Sequence, residues 1–196
     1  SPEQIYGNDI DRTSVMLTRI NLALKYDDIS IDTLYNNITS LNYLTNFQNI
    51  GFDCIIGNPP WGYDFNNDEL KQLTNDYRCA QGKSLESYDL FIEKTLTVLK
   101  PGGIMSFVLP EAVLNVKSHL PIRQIIIQNS SIQYLNFMGN VFDQVHCPCI
   151  ILQLTYTGQE LSCIGMEVKN QNKVFTINSE RKIDANYLSF TLTDEE

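Results

Sequence analysis

The chain has 196 residues, of which 43% are hydrophobic and 19% are charged. That length allows one well-buried domain with little room for a second, and the composition is typical of a globular protein without a membrane span. The net charge of −9 excludes a protein that binds nucleic acid over its whole surface, so any such contact must come from a local patch or from another part of a larger protein.

The first third of the chain predicts short strands and one long helix. Residues 4–8 are predicted to form a strand, and Asp11 is predicted to cap a helix over Arg12–Lys25, because an aspartate there can accept from the first free backbone N–H groups. The apolar face of this helix is expected to comprise Val15, Met16, Ile20 and Ala23. A short strand is predicted around Ile38. The run Phe52–Gly57 shows little alternation, which predicts a central strand buried on both faces.

The rest of the chain continues to alternate between predicted helices and predicted strands. A polar excursion over 63–84 is predicted to hold a helix near 68–77, and "ESYDLFIEKTLTVLKPGG" predicts an amphipathic helix stopped by its Lys-Pro-Gly-Gly end. A strand at 104–109, a helix over Leu120–Asn129 and strands at 132–138, 148–156, 161–168 and 173–178 follow. This order predicts an α/β fold with a doubly wound sheet finished by antiparallel strands.

The segment Asn58-Pro59-Pro60-Trp61 follows the predicted central strand, and its residues are suited to making a conjugated amino group nucleophilic. Neither proline can donate to a ladder, so the four residues must lie beyond the carboxyl end of the strand, where ligands bind in open α/β sheets. The Asn58 side chain and the Pro59 carbonyl can accept both N–H bonds of a conjugated amino group and so stabilise the charge that develops during alkyl transfer. Trp61 offers a flat surface for a planar ring. The alternative is a strand-ending turn with a packing tryptophan.

Several segments together resemble one known family. "CIIGNPPWG" resembles motif IV of the amino-methyltransferases that use S-adenosylmethionine, specifically the N6-adenine DNA methyltransferases of the gamma class. "IYGNDID" resembles motif II, "YDLFIEKTLTVLKPGG" motif V, "GGIMSFVLP" motif VI and "NVFDQVHCPCIILQL" motif VIII, in the order of that class. The resemblance covers about residues 4–156. It implies a Rossmann-like methyltransferase sheet and methyl transfer from S-adenosyl-L-methionine to an adenine flipped out of double-stranded DNA, within a restriction-modification system.

The resemblance also implies roles for single residues. Asp9 would bind the ribose hydroxyls of the cofactor, Ile10 would lie against its adenine, and Phe91 would cover the other face of that ring. Asn42 stands where the family usually has an aspartate that accepts from the cofactor's N6. Phe142 would stack on the target base opposite the tryptophan of motif IV.

The chain departs from the family pattern at both ends. No Gly-rich segment resembling motif I precedes motif II, and the chain stops after "NYLSF", where a target-recognition domain would begin. We therefore expect a fragment of a larger methylase, with an incomplete sheet, weak or no cofactor binding and no activity by itself. A catalytic core over 1–158 and a β-rich extension over 159–196 are predicted. The expected partners are DNA, the rest of the parent methylase and a fused or associated endonuclease. Lys71, Arg78 and Lys83 could contact the DNA backbone, although each taken singly is more typical of a scattered, solvated side chain.

The cysteines predict neither a disulfide framework nor a metal site. Their number, five, is odd and their spacing is irregular, which favours a reduced, cytoplasmic setting. His146-Cys147-Pro148-Cys149 invites a zinc interpretation, but structural zinc sites usually separate paired cysteines by at least two residues. We expect no metal.

Two alternative functions stay open. Related enzymes with an Asn-Pro-Pro-aromatic motif methylate RNA or glutamine amides in proteins, so the same chemistry could serve another acceptor. A truncated module without turnover would be a scaffold, and the missing motif I favours that hypothesis for the chain as it stands.

Overall fold

The computed structural model describes residues 1–47, 51–81, 85–141 and 147–194. The chain forms two compact units, residues 1–48 and 49–196, and each is described by itself. Among the described residues, no helix combines the length and the apolar character that a membrane span requires.

The first unit holds two strands and two helices. They are β1 (Gly7–Asn8), α1 (Arg12–Lys25), α2 (Ile31–Asn37) and β2 (Ile38–Thr39), after a short 3₁₀ turn at Pro2–Gln4. β1 and β2 pair in parallel, with Gly7 opposite Ile38. The predicted strand at 4–8 is therefore shorter than expected, because proline at the first position of the preceding turn favours helical geometry there.

Helix α1 has the predicted bounds but not the predicted buried face. The Asp11 side chain accepts from the backbone N–H groups of Thr13 and Ser14, which confirms it as the cap. Val15 is buried, but Met16 and Ile20 are 54% and 47% exposed, and Ala23 is also exposed. The prediction of a four-residue core face was wrong for these three, because within the described part of its own unit α1 packs mainly against α2 and β2, and these leave one side of the helix exposed.

The second unit is built on a six-stranded mixed sheet. Its strands are β3 (Phe52–Gly57), β4 (Leu99–Pro110), β5 (Ser130–Gly139), β6 (Cys149–Tyr156), β7 (Glu167–Asn170) and β8 (Lys173–Thr176), in the spatial order β3-β4-β6-β5-β7-β8. β3 runs parallel to β4 and β5 parallel to β7, while the β4–β6, β6–β5 and β7–β8 pairs are antiparallel. The α/β fold and the antiparallel strands near the end of the chain are confirmed. The predicted boundary after residue 158 stays a prediction.

Three helices accompany this sheet. They are α3 (Asn67–Asp76), α4 (Ser87–Val98) and α5 (Leu120–Asn129). α4 contacts β4, α5 contacts β5, and the two helices contact each other. The resulting core is almost fully excluded from solvent and includes Leu90, Ile92, Met105, Leu109, Ile122, Leu135, Ile150 and Leu152.

β3 lies at the edge of the described sheet rather than at its centre. Each of its six residues is half-buried or exposed, Cys54 is exposed, and Ile56 is 77% exposed. The prediction of a central strand was wrong for the described structure. An apolar run shows that a strand can be buried, but it does not reveal whether other strands and helices lie on both of its sides.

The Lys-Pro-Gly-Gly segment lies in β4 instead of ending the preceding helix. α4 ends at Val98, and Leu99 already pairs with Phe52, while the next pair joins Cys54 to Ile104. Residues 100–103, which lie between these two pairs on β4, form a bulge that interrupts the pairing with β3. A Cβ on Gly103 would lie 2.8 Å from the Phe52 carbonyl oxygen, so this close approach needs glycine.

Candidate active site

The Asn-Pro-Pro-Trp segment lies directly beyond the carboxyl end of β3, as predicted. Asn58 and Pro60 are exposed, Pro59 is buried, and Trp61 is half-buried. The following residue, Gly62, has φ of +64°, a conformation that favours glycine and lets the chain reverse after the tryptophan. The segment 58–61, called the catalytic turn below after the role that the sequence predicts for it, thus presents an amide side chain to solvent on a rigid proline backbone.

Helix α4 holds the catalytic turn through its first residue. The Ser87 hydroxyl donates a hydrogen bond to the Pro60 carbonyl, and Ser87 is 1% exposed. Phe91 lies one helical turn later, on the same face of α4 as Ser87, and is half-buried. The second unit therefore brings Phe91 to the face of α4 that contacts the catalytic turn.

A buried polar chain lies beside this contact. The Tyr88 hydroxyl is 2.8 Å from His119 Nε2, and His119 Nδ1 is 2.9 Å from a carboxylate oxygen of Asp89. The three residues are 3–4% exposed. Burial raises the pKa of Asp89 against the opposing effect of His119, and burial also raises the pKa of Tyr88.

Sequence reasoning missed this chain. No local sequence pattern pairs Tyr88 or Asp89 with His119, which lies in a 3₁₀ turn at Lys117–His119. The available signal was weak: a tyrosine and an aspartate next to each other in the first turn of α4, and a histidine just before α5.

The first unit gathers the other predicted residues at one edge of its small sheet. Asp9 and Ile10 follow β1, and Asn42 comes three residues after β2. The Asp9 N–H donates to the Thr39 carbonyl at 3.2 Å, and the Ser40 hydroxyl donates to the Ile10 carbonyl at 3.2 Å. These bonds join the two strand ends, as the parallel pairing requires.

The side chains at this edge have different surroundings. Ile10 is 72% exposed, and Asp9 is exposed with one carboxylate oxygen accepting from the Asp11 N–H at 2.9 Å. Asn42 is half-buried, and its Oδ1 accepts from the Leu44 N–H at 3.0 Å. A carbonyl oxygen has two lone pairs, so this bond leaves Asn42 able to accept a second donor.

The remaining predicted residues either form contacts at the protein surface or lie outside the described ranges. Phe142, Lys83 and His146 fall outside the described residues. Lys71 faces Asp68 at 3.8 Å on an exposed helix surface, and an Arg78 guanidinium nitrogen is 3.3 Å from the Gln128 side-chain oxygen. Within the described ranges, no three or more histidine, cysteine or acidic side chains are grouped so that they could hold a metal ion.

Comparison with known proteins assigns the family. Residues 3–142 match the family described as Eco57I restriction-modification methylase. The chain belongs to this family. Among its relatives, it is 25% identical over 138 residues to the type II methyltransferase M.VspI of Vibrio sp. (strain 343), an alignment covering 69% of this chain and 32% of M.VspI. It is 30% identical over 105 residues to the Escherichia coli type II restriction enzyme and methyltransferase RM.Eco57I, covering 50% of this chain and 10% of that protein.

A solved structure supports the fold of this Eco57I-family chain. A Listeria monocytogenes protein assigned to the class I S-adenosylmethionine-dependent methyltransferases superposes with a TM-score of 0.57 at 19% identity, covering 78% of this chain and 44% of that one. The methyltransferase fold expected from the sequence is therefore confirmed. The chain spans less than half the length of each of these three proteins.

Proposed function

We propose that this chain forms the catalytic part of a site-specific DNA-methyltransferase (adenine-N6) of a restriction-modification system, and that it acts within a longer protein. Its membership of the Eco57I family supports the proposal, as do the names of its relatives M.VspI and RM.Eco57I. The observation that carries it is the catalytic turn, whose exposed Asn58 lies at the carboxyl end of β3.

In this proposal the catalytic turn activates the amino group of the target adenine. That nitrogen is a weak nucleophile because its lone pair is delocalised into the ring. The Asn58 Oδ1 and the Pro59 carbonyl accept its two N–H bonds, which favours the pyramidal nitrogen and stabilises its developing positive charge. The Pro60 carbonyl already accepts from Ser87, so it serves to hold the turn.

The target base must leave the duplex to reach the turn. Extrusion of the base exposes its amino group and one ring face, and aromatic side chains can replace the lost stacking. We assign this role to Trp61, with Phe142 on the opposite side of the base. For Phe142 the assignment rests on the sequence resemblance alone.

The proposed cofactor is S-adenosyl-L-methionine, which supplies an electrophilic methyl group when bound. The edge residues of the first unit fit parts of this molecule. Exposed Asp9 can accept from two ribose hydroxyls, Ile10 offers an apolar surface to a planar base, and Asn42 retains a lone pair for an amino group. In the second unit, the proposed role of Phe91 is packing against the adenine of the cofactor.

The partners follow from the same proposal. The net charge of −9 makes this chain a poor binder of phosphates, so most DNA contacts would come from the rest of the longer methylase. RM.Eco57I is both a restriction enzyme and a methyltransferase, and a fused or associated endonuclease is therefore part of the proposal. The five cysteines are free thiols, which fits a reduced, cytoplasmic setting.

The experiment is methyl transfer from labelled S-adenosylmethionine by the full methylase carrying Asn58→Ala. We expect the rate to fall by about a hundredfold or more, the usual effect of losing one preorganised polar contact to the transition state, while cofactor affinity stays near normal. Asn75→Ala, the same change at an exposed position of α3, is the matched control and should retain full activity.

The acceptor decides between the proposal and its alternatives. Label in N6-methyladenine of duplex DNA supports the proposal, while label only in RNA or in protein glutamine would replace it with another acceptor. A full methylase that transfers no label to any of the three, although it is folded, would favour the scaffold hypothesis.

A further inference from the structure

The first turn of α4 is fixed differently from the starts of the earlier α-helices. The N-cap side chains of α1, α2 and α3, which are Asp11, Ser30 and Asn66, all accept from backbone N–H groups of the first turn. At the N-cap of α4, Glu86 makes no such side-chain bond to the described residues. An uncapped helix start tends to fray, so the position of this turn depends on tertiary contacts.

The buried polar chain supplies those contacts. Tyr88 and Asp89, the second and third residues of α4, both bond to the ring of His119, at 2.8 Å and 2.9 Å. A neutral imidazole satisfies both bonds when the tyrosine hydroxyl donates to Nε2 and the Nδ1–H donates to the carboxylate. His119 directly precedes α5, so the chain ties the first turn of α4 to the start of another core helix.

Ser87 links the fixed first turn of α4 to the catalytic turn. It lies in the same helical turn as Tyr88 and Asp89, and its hydroxyl donates to the Pro60 carbonyl. That carbonyl belongs to the peptide group that joins Pro60 to Trp61. Because a peptide group is planar, holding its oxygen also limits the direction in which the tryptophan leaves the turn.

We propose that Ser87 is a positioning residue for Trp61, and that the buried polar chain holds Ser87 in place. Positioning matters because small displacements of a substrate-holding group reduce rates strongly. The consequence for catalysis rests on the proposed adenine methylation, whereas the effect on the tryptophan does not depend on it.

The test uses Trp61 itself, which is the single tryptophan of the chain. In Ser87→Ala, the fraction of molecules in which the catalytic turn is detached from α4 should rise about fivefold. This factor corresponds to the net free energy of one neutral hydrogen bond, about 1 kcal/mol. We expect a shifted emission maximum and stronger acrylamide quenching of Trp61, measured on the 196-residue chain below its thermal midpoint. Tyr88→Phe should change both signals in the same direction by a smaller amount.

Ser130→Ala is the matched control. Ser130 is also fully buried, and its hydroxyl donates to a backbone carbonyl, that of Ile126, at 2.6 Å. This variant should leave the tryptophan signals at the wild-type values. Wild-type signals in both Ser87→Ala and Tyr88→Phe would overturn the proposal, and so would an equal change in Ser130→Ala. If Ser87→Ala does not fold, Tyr88→Phe against Ser130→Ala decides by the same criteria.

The catalytic consequence has its own measurement. In the full methylase, Ser87→Ala should lower kcat by about tenfold to a hundredfold while the Kd for the cofactor stays unchanged. An unchanged kcat with altered tryptophan signals would overturn the catalytic part of the proposal. A protein that methylates no adenine in its wild-type form would refute the proposed function, while the fluorescence result would still stand.

Discussion

At the scale of single residues, a buried carboxylate shapes the chain between α3 and α4. Glu93 is 7% exposed, and its two oxygens accept from the backbone N–H groups of Arg78 and Cys79, at 2.9 Å and 2.8 Å. Two backbone donors just after α3 are therefore satisfied by a side chain rather than by secondary structure. Burial, reinforced by Glu93, raises the pKa of the Cys79 thiol, which stays protonated and unreactive.

Glu93→Gln should lower the free energy of unfolding by about 1–3 kcal/mol, because the new NH2 group faces one of the two buried N–H donors and leaves it unsatisfied. Urea unfolding followed by circular dichroism measures this change. Glu160→Gln, at an exposed position, is the control and should stay within about 0.5 kcal/mol of wild type. Equal stability of the two variants would show that the carboxylate is dispensable.

At the scale of elements, helix α1 carries a titratable cap. Hydrogen bonds from the Ser14 hydroxyl and from the Ser14 and Thr13 N–H groups lower the pKa of Asp11 below its ordinary value of 3.8. A lowered pKa means that the capping contribution is complete above the unfolded-state value and is lost as the pH falls through the folded-state value. α1 should therefore begin to lose its cap only below about pH 4.

The amide proton shifts of Thr13 and Ser14 should report this titration with a midpoint below 3.8. In Asp11→Ser the serine hydroxyl still caps the helix but does not titrate. The pH-dependent change in these amide shifts should therefore disappear, while the helix remains. A midpoint at or above the ordinary aspartate value would contradict the cap described for α1.

Elements also show where sequence reasoning works. The bounds of α1 and α5 were predicted correctly, because Asp11 and the Pro121 of the first turn are local signals that act on adjacent backbone. The edge position of β3 and the bulge at 100–103 were not predicted, because both depend on which strand lies alongside.

At the scale of the second unit, one arginine joins distant parts of the chain. Arg123 of α5 is 1% exposed and donates to the carbonyls of Val113 and Val116, which follow β4, and of Ala185 and Asn186, near the end of the chain. Burial lowers its pKa, an effect that Asp89 opposes. The planar guanidinium has five N–H donors, which is why one side chain can serve four carbonyls.

Arg123→Met should lower the free energy of unfolding by about 1–3 kcal/mol, since it removes a donor from four carbonyls, of which the buried Val113 carbonyl is the most costly to leave unpaired. The local effect should be faster hydrogen exchange at the Leu188 amide, which donates to the Leu114 carbonyl at 2.9 Å. Arg123→Lys should show an intermediate loss, because an ammonium group keeps the charge but cannot span the same carbonyls. Unchanged exchange at Leu188 in Arg123→Met would refute this linking role.

The sequence by itself determined the family, the order of the elements and the position of the catalytic turn. These properties are carried by local patterns, namely apolar periodicity, caps and the Asn-Pro-Pro-Trp segment, which act over a few residues. Only the tertiary structure decided that Ser87 holds Pro60, that His119 joins Tyr88 to Asp89, and that β3 lies at the edge of the described sheet. Such contacts link residues about 30 positions apart, and their partners are chosen by packing and by the need to satisfy buried polar groups, which no local pattern encodes.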